Sequence, residues 1–336
     1  MERIIHADSN RAEIGIITDF TAFDAQIHHN CELADNTFSL EMSVGAWQSD
    51  KIMRGDYVYI NNSEFGGLVR SVQKNTATDT VTVKGALWRA LLAMRIITPD
   101  VGQAYKVYSG TELNAMIDDV IGNDYVNLFH VSLEDTGVTT SYQFRYQTKL
   151  AGLSKALLQE GYTLSCLYDA SVQRVIVSAR HCTDYSDYTD ISSDLGIGLS
   201  ITLGRVDDYN HCIALGTGEL VDRMVRELWL YNGTIYTTRP VGLLEADLRS
   251  MTFDYPNAES ETELLSSARD ALLEYAAMSS AEIDLSQIQE DLNFDLQLDD
   301  TILTVDRDLN ISAVKSVSQR ILSINASGST IRTEVE

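Results

Sequence analysis

The sequence contains few cysteines and prolines and no long apolar run, and each shortage excludes a class of protein. The 4 Cys among 336 residues are widely separated, without a CxxC pair, so the sequence encodes no compact disulfide framework. With 3 Pro and 20 Gly, the chain is neither collagen-like nor mucin-like. No run reaches the roughly 18 apolar residues that a membrane-spanning helix needs. The polar segment from Met1 to Asn10 lacks the apolar region of a secretion signal. We therefore expect a globular protein that is made in a cytoplasm and has reduced thiols.

Basic residues are also scarce. The 25 Lys and Arg stand against 49 Asp and Glu, which gives a formal net charge of −24. Such a charge repels the phosphates of nucleic acids and of anionic lipids. The composition therefore predicts neither specific nucleic-acid binding nor stable membrane insertion.

Hydrophobic periodicity predicts mostly strands at the two ends of the chain and helices in the middle. Apolar and polar residues alternate from Thr37 to Val44, as in a half-buried strand. Ser109 and Glu112 form a capping box for a helix that ends at Gly122. The other predicted helices cover 86–95, 150–160 and 259–278, and Ser260 and Glu263 form a capping box for the last one. Hairpins are predicted over 162–178 and over 228–236, the latter with its turn at Asn232-Gly233. The other predicted strands cover 57–60, 68–72, 80–83, 198–203, 210–215, 292–298, 301–305, 311–319 and 331–335.

Two segments of the chain resemble each other. Each begins with an aspartate, Asp56 or Asp300, and continues through a strand and a turn into a V-[R/K]-S-V core. The core is 69–72 in the first segment and 314–317 in the second. Two explanations stay open, a duplicated β-domain or a coincidence between two short β-meanders.

Duplication predicts an α+β, mainly β fold with three domains. A first β-barrel domain occupies 1–98, a small α/β domain occupies 99–195, and a second β-barrel domain occupies 196–336 with its helix at 259–278. One helix packs on each barrel. Three copies of such a chain would place six similar barrels around one axis, so that a trimer could dock on a six-fold ring.

Several residues have side chains that can bind metals, but their spacing does not fit a known metal site. Cys166 and the pairs His181-Cys182 and His211-Cys212 are soft ligands, but they lack zinc-type spacing, and neighbours in a strand point to opposite faces. Calcium would need an EF-hand pattern, which the aspartates of the 184–194 stretch do not have. These aspartates are Asp184, Asp187, Asp190 and Asp194. The sequence therefore predicts buried thiols, a solvated acidic loop and no metal.

Catalytic and nucleotide-binding patterns are weak as well. His28 and His29 lie near Asp24 and Cys31, yet no nucleophile motif accompanies them. The glycine pairs 196/198 and 216/218 lack the third glycine and the following helix of a nucleotide loop. Trp47, Trp88 and Trp229 are interpreted as core or interface residues. We predict no catalytic residue, no cofactor-binding residue and no cofactor.

Several segments spread along the chain carry a resemblance to a known family. They are Arg95–Pro99, Leu113–Ile121, Phe144–Tyr146, Leu153–Gly161, Tyr209–Gly216 with Gly218, Glu219 and Arg223, Leu296–Ile302 and Ser318–Ile321. In these segments the sequence resembles the central tail-hub, or baseplate-hub, proteins of tailed phages and related contractile particles. The similarity is to the type that forms the N-terminal part of tail-associated lysins in Gram-positive hosts, and it extends over nearly the whole chain, least clearly before Thr37.

The resemblance implies a homotrimeric, non-enzymatic hub at the distal end of a virion tail or a tailocin, where it adapts the six-fold tube to the three-fold tip and closes or gates the tube. It also implies that the two β-barrel domains, at 1–98 and 196–336, are tube-like, and that the particle is assembled in the bacterial cytoplasm. The implied partners are the tail tube or distal ring protein above, the C-terminus of the tape-measure protein, and tip, spike and receptor-binding proteins below. Two other functions stay open: a tail-associated peptidoglycan hydrolase and a carbohydrate-binding receptor module.

Overall fold

The computed structural model describes residues 3–186, 190–192, 199–202, 209–231, 234–258, 260–274, 280–283, 296–306 and 311–335. The helices are α1 (Val44–Asp50), α2 (Trp88–Ala93), α3 (Leu113–Ile121), α4 (Lys149–Leu158) and α5 (Glu261–Glu274). The strands are β1 (Ile4–Ala7), β2 (Glu13–Ile17), β3 (Ala22–His28), β4 (Thr37–Ser43), β5 (Tyr57–Tyr59), β6 (Gly66–Asn75), β7 (Thr80–Leu87), β8 (Lys106–Glu112), β9 (Phe129–Val131), β10 (Thr139–Phe144), β11 (Tyr162–Asp169), β12 (Arg174–His181), β13 (Asp190–Ser192), β14 (Leu199–Thr202), β15 (His211–Leu215), β16 (Val225–Tyr231), β17 (Thr234–Tyr236), β18 (Ser250–Asp254), β19 (Ser280–Ile283), β20 (Thr301–Asp306), β21 (Ile311–Asn325) and β22 (Gly328–Val335). The fold is α+β and mainly β, as predicted.

The chain divides into two compact units. The first contains residues 1–199 and 283–335, and the second contains residues 200–282 together with 336. The predicted boundary near 195 lies close to this division at 199, whereas the one near 98 lies inside the first unit. Residues 283–335 also belong to the first unit, because strands from the two ends of the chain pair directly: Leu322 of β21 lies opposite Ala25 of β3. Pairing across nearly 300 positions leaves no local signal in the sequence. The division into three domains stays a prediction.

The main sheet of the first unit runs in the order β22-β21-β3-β4-β7-β6-β5-β1-β2, and β20 pairs with both β21 and β13. The alternation in β4 has the predicted consequence, since Phe38, Leu40 and Met42 are buried. The predicted strand stops one residue early. The Ser43 hydroxyl accepts a hydrogen bond from the Ala46 N–H, so that Val44 begins α1 instead.

A small α/β substructure completes the first unit. The hairpin β11–β12 forms as predicted, and β9 joins it in parallel. Helices α3 and α4 pack with it in one hydrophobic core, which also contains Trp88 of α2. Ser109 does not cap α3, because it lies within β8. The Glu112 carboxylate instead accepts the Ala115 N–H at 2.8 Å.

The second unit is a four-stranded sheet, in the order β17-β16-β15-β18, with α5 on one face. The core between them contains Cys212, Leu228, Leu264 and Leu272. Ser260 caps α5 as predicted. The predicted hairpin β16–β17 forms, although its turn residues 232–233 lie outside the described residues, as do 259 and 275–279 of the predicted helix.

The predicted strand over 292–298 is only partly described. Residues 292–295 lie outside the described residues, and 296–300 form a turn rather than a strand. Leu296 and Leu298 are nevertheless buried, at 0% and 4% exposure.

Candidate functional site

A turn before a three-stranded meander occurs twice in the first unit, with the same hydrogen bonds. In the first copy, the Asp56 carboxylate accepts the Met53 N–H at 2.8 Å, and the Asp56 carbonyl accepts the Val69 N–H at 2.8 Å. In the second copy, the Asp300 carboxylate accepts the Gln297 N–H at 2.8 Å, and its carbonyl accepts the Val317 N–H at 2.8 Å. We call this arrangement the aspartate corner. It confirms the predicted likeness of the two segments.

The backbone repeats around both corners. The residue before each aspartate has a positive φ, 97° at Gly55 and 65° at Asp299, and its N–H donates to the carbonyl of the same valine. Directly after that valine, each strand has a β-bulge: β6 shifts register between Val69 and Ser71, and β21 shifts between Val317 and Gln319. Two such turns followed by bulges at matching positions are specific structural features, which the shared alternation of apolar and polar residues alone would not produce.

The alignment of the two segments needs a correction. The sequence comparison matched Val69 with Val314, whereas the hydrogen bonds match Val69 with Val317. The reason is that β20 has six residues, while β5 has three. The V-[R/K]-S-V motif therefore begins at the equivalent valine in the first segment and ends at it in the second.

The Asp300 corner binds the α/β substructure to the C-terminal strands. Asp300 is 1% exposed, and its carboxylate also accepts from the Arg180 guanidinium at 2.9 Å and from the Thr183 N–H at 2.8 Å. Arg180 donates further to the Leu298 carbonyl at 2.6 Å. Hydrogen bonds from several donors offset the free-energy cost of burying a carboxylate, and the carboxylate in turn holds those donors in place.

A second buried ion pair joins β11 to the N-terminal strands. Arg89 of α2 is 4% exposed and lies 2.8 Å from the Glu64 carboxylate. The other Glu64 oxygen accepts the Cys166 N–H at 2.7 Å, and Arg89 donates to the Leu164 carbonyl at 2.8 Å. The loop before β6 is therefore bonded to β11 by side chains as well as by its backbone, where Asn62 donates to the Tyr168 carbonyl.

These contacts surround a cleft of about 560 Å³ within the first unit. Its polar wall contains three arginines, and its apolar wall is formed by the sheet and by Phe65. The lining residues are Ile27, Ile60, Asn61, Asn62, Ser63, Glu64, Phe65, Arg89, Thr163, Leu164, Ser165, Leu167, Arg180, Gln297, Leu298, Arg320, Leu322 and Ile331. Such a volume is within the range of small-molecule sites. However, carboxylates lie beside two of its arginines, Glu64 at Arg89 and Asp300 at Arg180, so the cleft does not present a strong net positive charge.

No pattern in the sequence identifies the members of this cluster. Glu64, Arg89 and Arg180 are separated by up to 116 positions and belong to no motif. The available signal is that Arg89 is the one charged residue in the otherwise apolar run from Ala86 to Met94, because a buried arginine requires a partner.

The predicted metal candidates do not assemble. His211 and Cys212 point to opposite faces of β15, as adjacent strand residues do: the His211 ring stacks on Trp229 at 5.0 Å, and Cys212 lies in the core under α5. Cys166 is buried, and His181 packs its ring against Tyr162. Among the described residues, no three His, Cys, Asp or Glu side chains lie close enough to hold a metal ion.

The environments of the thiols are unreactive. Burial raises the pKa of Cys31, Cys166 and Cys212. Burial, with a contribution from Asp299, raises the pKa of Cys182 to about 12. A thiol with so high a pKa stays protonated at neutral pH and is a poor nucleophile.

The carboxylate and the thiol named beside the N-terminal histidines have other hydrogen-bond partners. The Asp24 carboxylate accepts from the Ser323 hydroxyl at 2.6 Å, and the Cys31 thiol donates to the backbone carbonyl of His29. His29 lies 3.7 Å from the Asp299 carboxylate, and its ring is 5.2 Å from that of His28.

The remaining candidates have structural contacts. Asp184 accepts from the Ser186 N–H and the Thr301 hydroxyl, while 187 and 194 lie outside the described residues, as do 196 and 198. Trp88 is fully buried, and the Trp47 indole donates to the Ile52 carbonyl at 2.9 Å. Within the described parts of the chain, no helix is long and apolar enough to cross a membrane.

Three solved structures that are similar to this chain are tail proteins. The alignment with the 43 kDa tail protein of prophage MuSo2 from Shewanella oneidensis covers 100% of this chain and 98% of that protein, with 12% sequence identity and a TM-score of 0.61. The chain has the fold of a phage tail protein. A tail protein from Neisseria meningitidis covers 99% of this chain and 95% of its own, with 10% identity and a TM-score of 0.55. The alignment with prophage tail protein gp18 from Listeria monocytogenes covers 99% of this chain and 94% of that protein, with 10% sequence identity and a TM-score of 0.54. No protein-family model matches the sequence, and no curated protein sequence matches it.

Proposed function

We propose that this protein is the trimeric, non-enzymatic hub at the distal end of a phage tail or phage-tail-like particle. In this role it adapts the six-fold tail tube to the three-fold tip and closes or gates the tube. Its partners are a second and third copy of itself, the tube or distal ring protein and the tape-measure C-terminus above, and the tip, spike and receptor-binding proteins below.

The aspartate corner, found twice within a phage tail protein fold, is the observation that supports this role. A chain with two equivalent meanders can offer a ring partner two equivalent contacts. Three such chains then offer six, which matches a six-fold ring without six identical subunits. The proposal extends the repeated corner to two whole barrel domains, at 1–98 and 196–336.

The net charge of −24 fits a channel wall. Three copies carry roughly −72, and negative walls repel passing DNA over a Debye length of about 8 Å at physiological salt. In a tailocin, which carries no DNA, the same charge keeps the assembly soluble.

The test of the trimer is the mass of the purified chain in solution, together with its copy number in isolated particles. Three copies per particle, at the end of the tail in electron micrographs, are expected. Six copies, or a position along the tube, would contradict the hub role. Peptidoglycan zymography and glycan-array binding of the intact chain test the two rival functions, and activity in either assay would replace the non-enzymatic hub as the conclusion.

A further inference from the structure

The two copies of the meander differ in what covers one strand edge. In the second copy, residues 319–325 of β21 pair with β22 on one side and with β3 on the other. Cross-strand side chains strengthen the second pairing, since the Ser323 hydroxyl donates to Asp24 of β3 at 2.6 Å. Both edges of this part of β21 are therefore satisfied.

The aspartate corners identify the equivalent edge in the first copy. Because Val69 matches Val317 and each bulge adds one residue, Ser71 matches Gln319 and Asn75 matches Ser323. Residues 71–75 of β6 pair with β7 on one side. On the other side, β5 reaches only Gly66 to Leu68, and no described strand continues along β6 beyond that point.

The open edge is exposed and basic. Arg70 and Lys74 of β6 and Lys84 of the neighbouring β7 are all exposed, in a chain whose acids outnumber its bases by 24. A lysine on an edge strand disfavours non-specific pairing with the edge strands of other proteins, which would lead to aggregation. The same lysine favours an acidic partner, because complementary charges direct and orient association.

We propose that the β6 edge over 71–75 binds a β-strand of a second copy of this chain. The proposal deepens the trimer of the proposed function and rests on it. Two observations select a second copy as the occupant: the equivalent edge of β21 is filled by β3, a strand of the same chain, and the chain is strongly acidic. Pairing of this kind satisfies the main-chain groups of the edge and makes the contact between copies directional.

The experiment measures assembly and edge protection on the full chain. Lys74→Glu reverses one charge on the edge, and Lys155→Glu on the exposed side of α4 makes the same change of net charge elsewhere. Lys74→Glu is expected to raise the protein concentration at half-assembly at least about tenfold, as followed by light scattering, and Lys155→Glu is expected to change it less than about twofold. Circular dichroism of both variants checks that the fold is retained.

Hydrogen–deuterium exchange gives an independent measurement that needs no substitution. In the assembled wild-type chain, the amides of 71–75 that point away from β7 are expected to exchange much more slowly than in the diluted monomer, while the amides of 319–325 stay protected in both. If trimers form and the 71–75 amides remain unprotected, this edge is not the contact, although the hub function stands. Equal effects of the two substitutions would contradict the edge contact too. A chain that is monomeric at every concentration overturns both the edge contact and the trimer.

Discussion

Loss of the Asp300 carboxylate should destabilise the first unit more than any other single change at the repeated corners. In Asp300→Ala, the Arg180 guanidinium and the N–H groups of Thr183 and Gln297 lose their acceptor. Removing one partner of a buried ion pair typically costs about 3–5 kcal/mol, which is a large part of the 5–15 kcal/mol that a domain has. We therefore expect Asp300→Ala to lower the free energy of unfolding by about 3–5 kcal/mol.

The first corner provides a matched comparison. The Asp56 carboxylate accepts from the Met53 N–H at 2.8 Å and from the His6 ring at 3.1 Å, and its side chain is 14% exposed, against 1% for Asp300. Because the Asp56 carboxylate has fewer donors and some access to water, we expect Asp56→Ala to lower the free energy of unfolding by only about 1.5–3 kcal/mol.

Urea unfolding followed by tryptophan fluorescence measures both changes. In a Trp229→Phe background, the fluorescence comes from Trp47 and Trp88, which both lie in the first unit, so the second unit does not contribute. A loss below about 1 kcal/mol for Asp300→Ala, or a larger loss for Asp56→Ala, would refute the reasoning that the Asp300 carboxylate holds the α/β substructure to the C-terminal strands.

Three further predictions concern acid, thiols and the core. Although burial raises it, hydrogen bonds from Thr136 and Ala115 leave the pKa of Glu112 lowered. Its contribution to stability is therefore present above the ordinary value of about 4 and is lost as the pH falls through the lowered pKa, so Glu112→Gln should flatten the acid side of a stability–pH curve. With a pKa of about 12, Cys182 should have only about one thiol in ten thousand ionised at pH 8, and alkylation of the native chain should be far slower than in urea; rapid native alkylation would contradict this. Leu40→Asp and Leu296→Asp, both at positions of 0% exposure, should each abolish folding, because an unpaired buried charge costs several kcal/mol, and a native melting profile of either variant would contradict it.

Local patterns in the sequence determined much of the secondary structure. Alternation over 37–43 and the capping box at Ser260 involve residues within a few positions of each other, so the physical cause and the sequence signal lie in the same window. The same holds for the opposite orientations of His211 and Cys212, which follow from the two-residue period of a strand. The likeness of the segments after Asp56 and Asp300 was also detectable, although its register was wrong by three residues.

Only the tertiary structure decided how distant segments combine. The pairing of β21 with β3 and the bonds from Arg180 to Asp300 join residues more than 100 positions apart, and no local propensity specifies such a partner. Ser109 is the converse case: it had a sound capping pattern, yet β8 took it into a sheet, and Glu112 capped α3 instead. Strand pairs and buried ion pairs of the described residues join distant segments, so the choice among locally acceptable structures depends on which distant donors and acceptors the whole fold brings together.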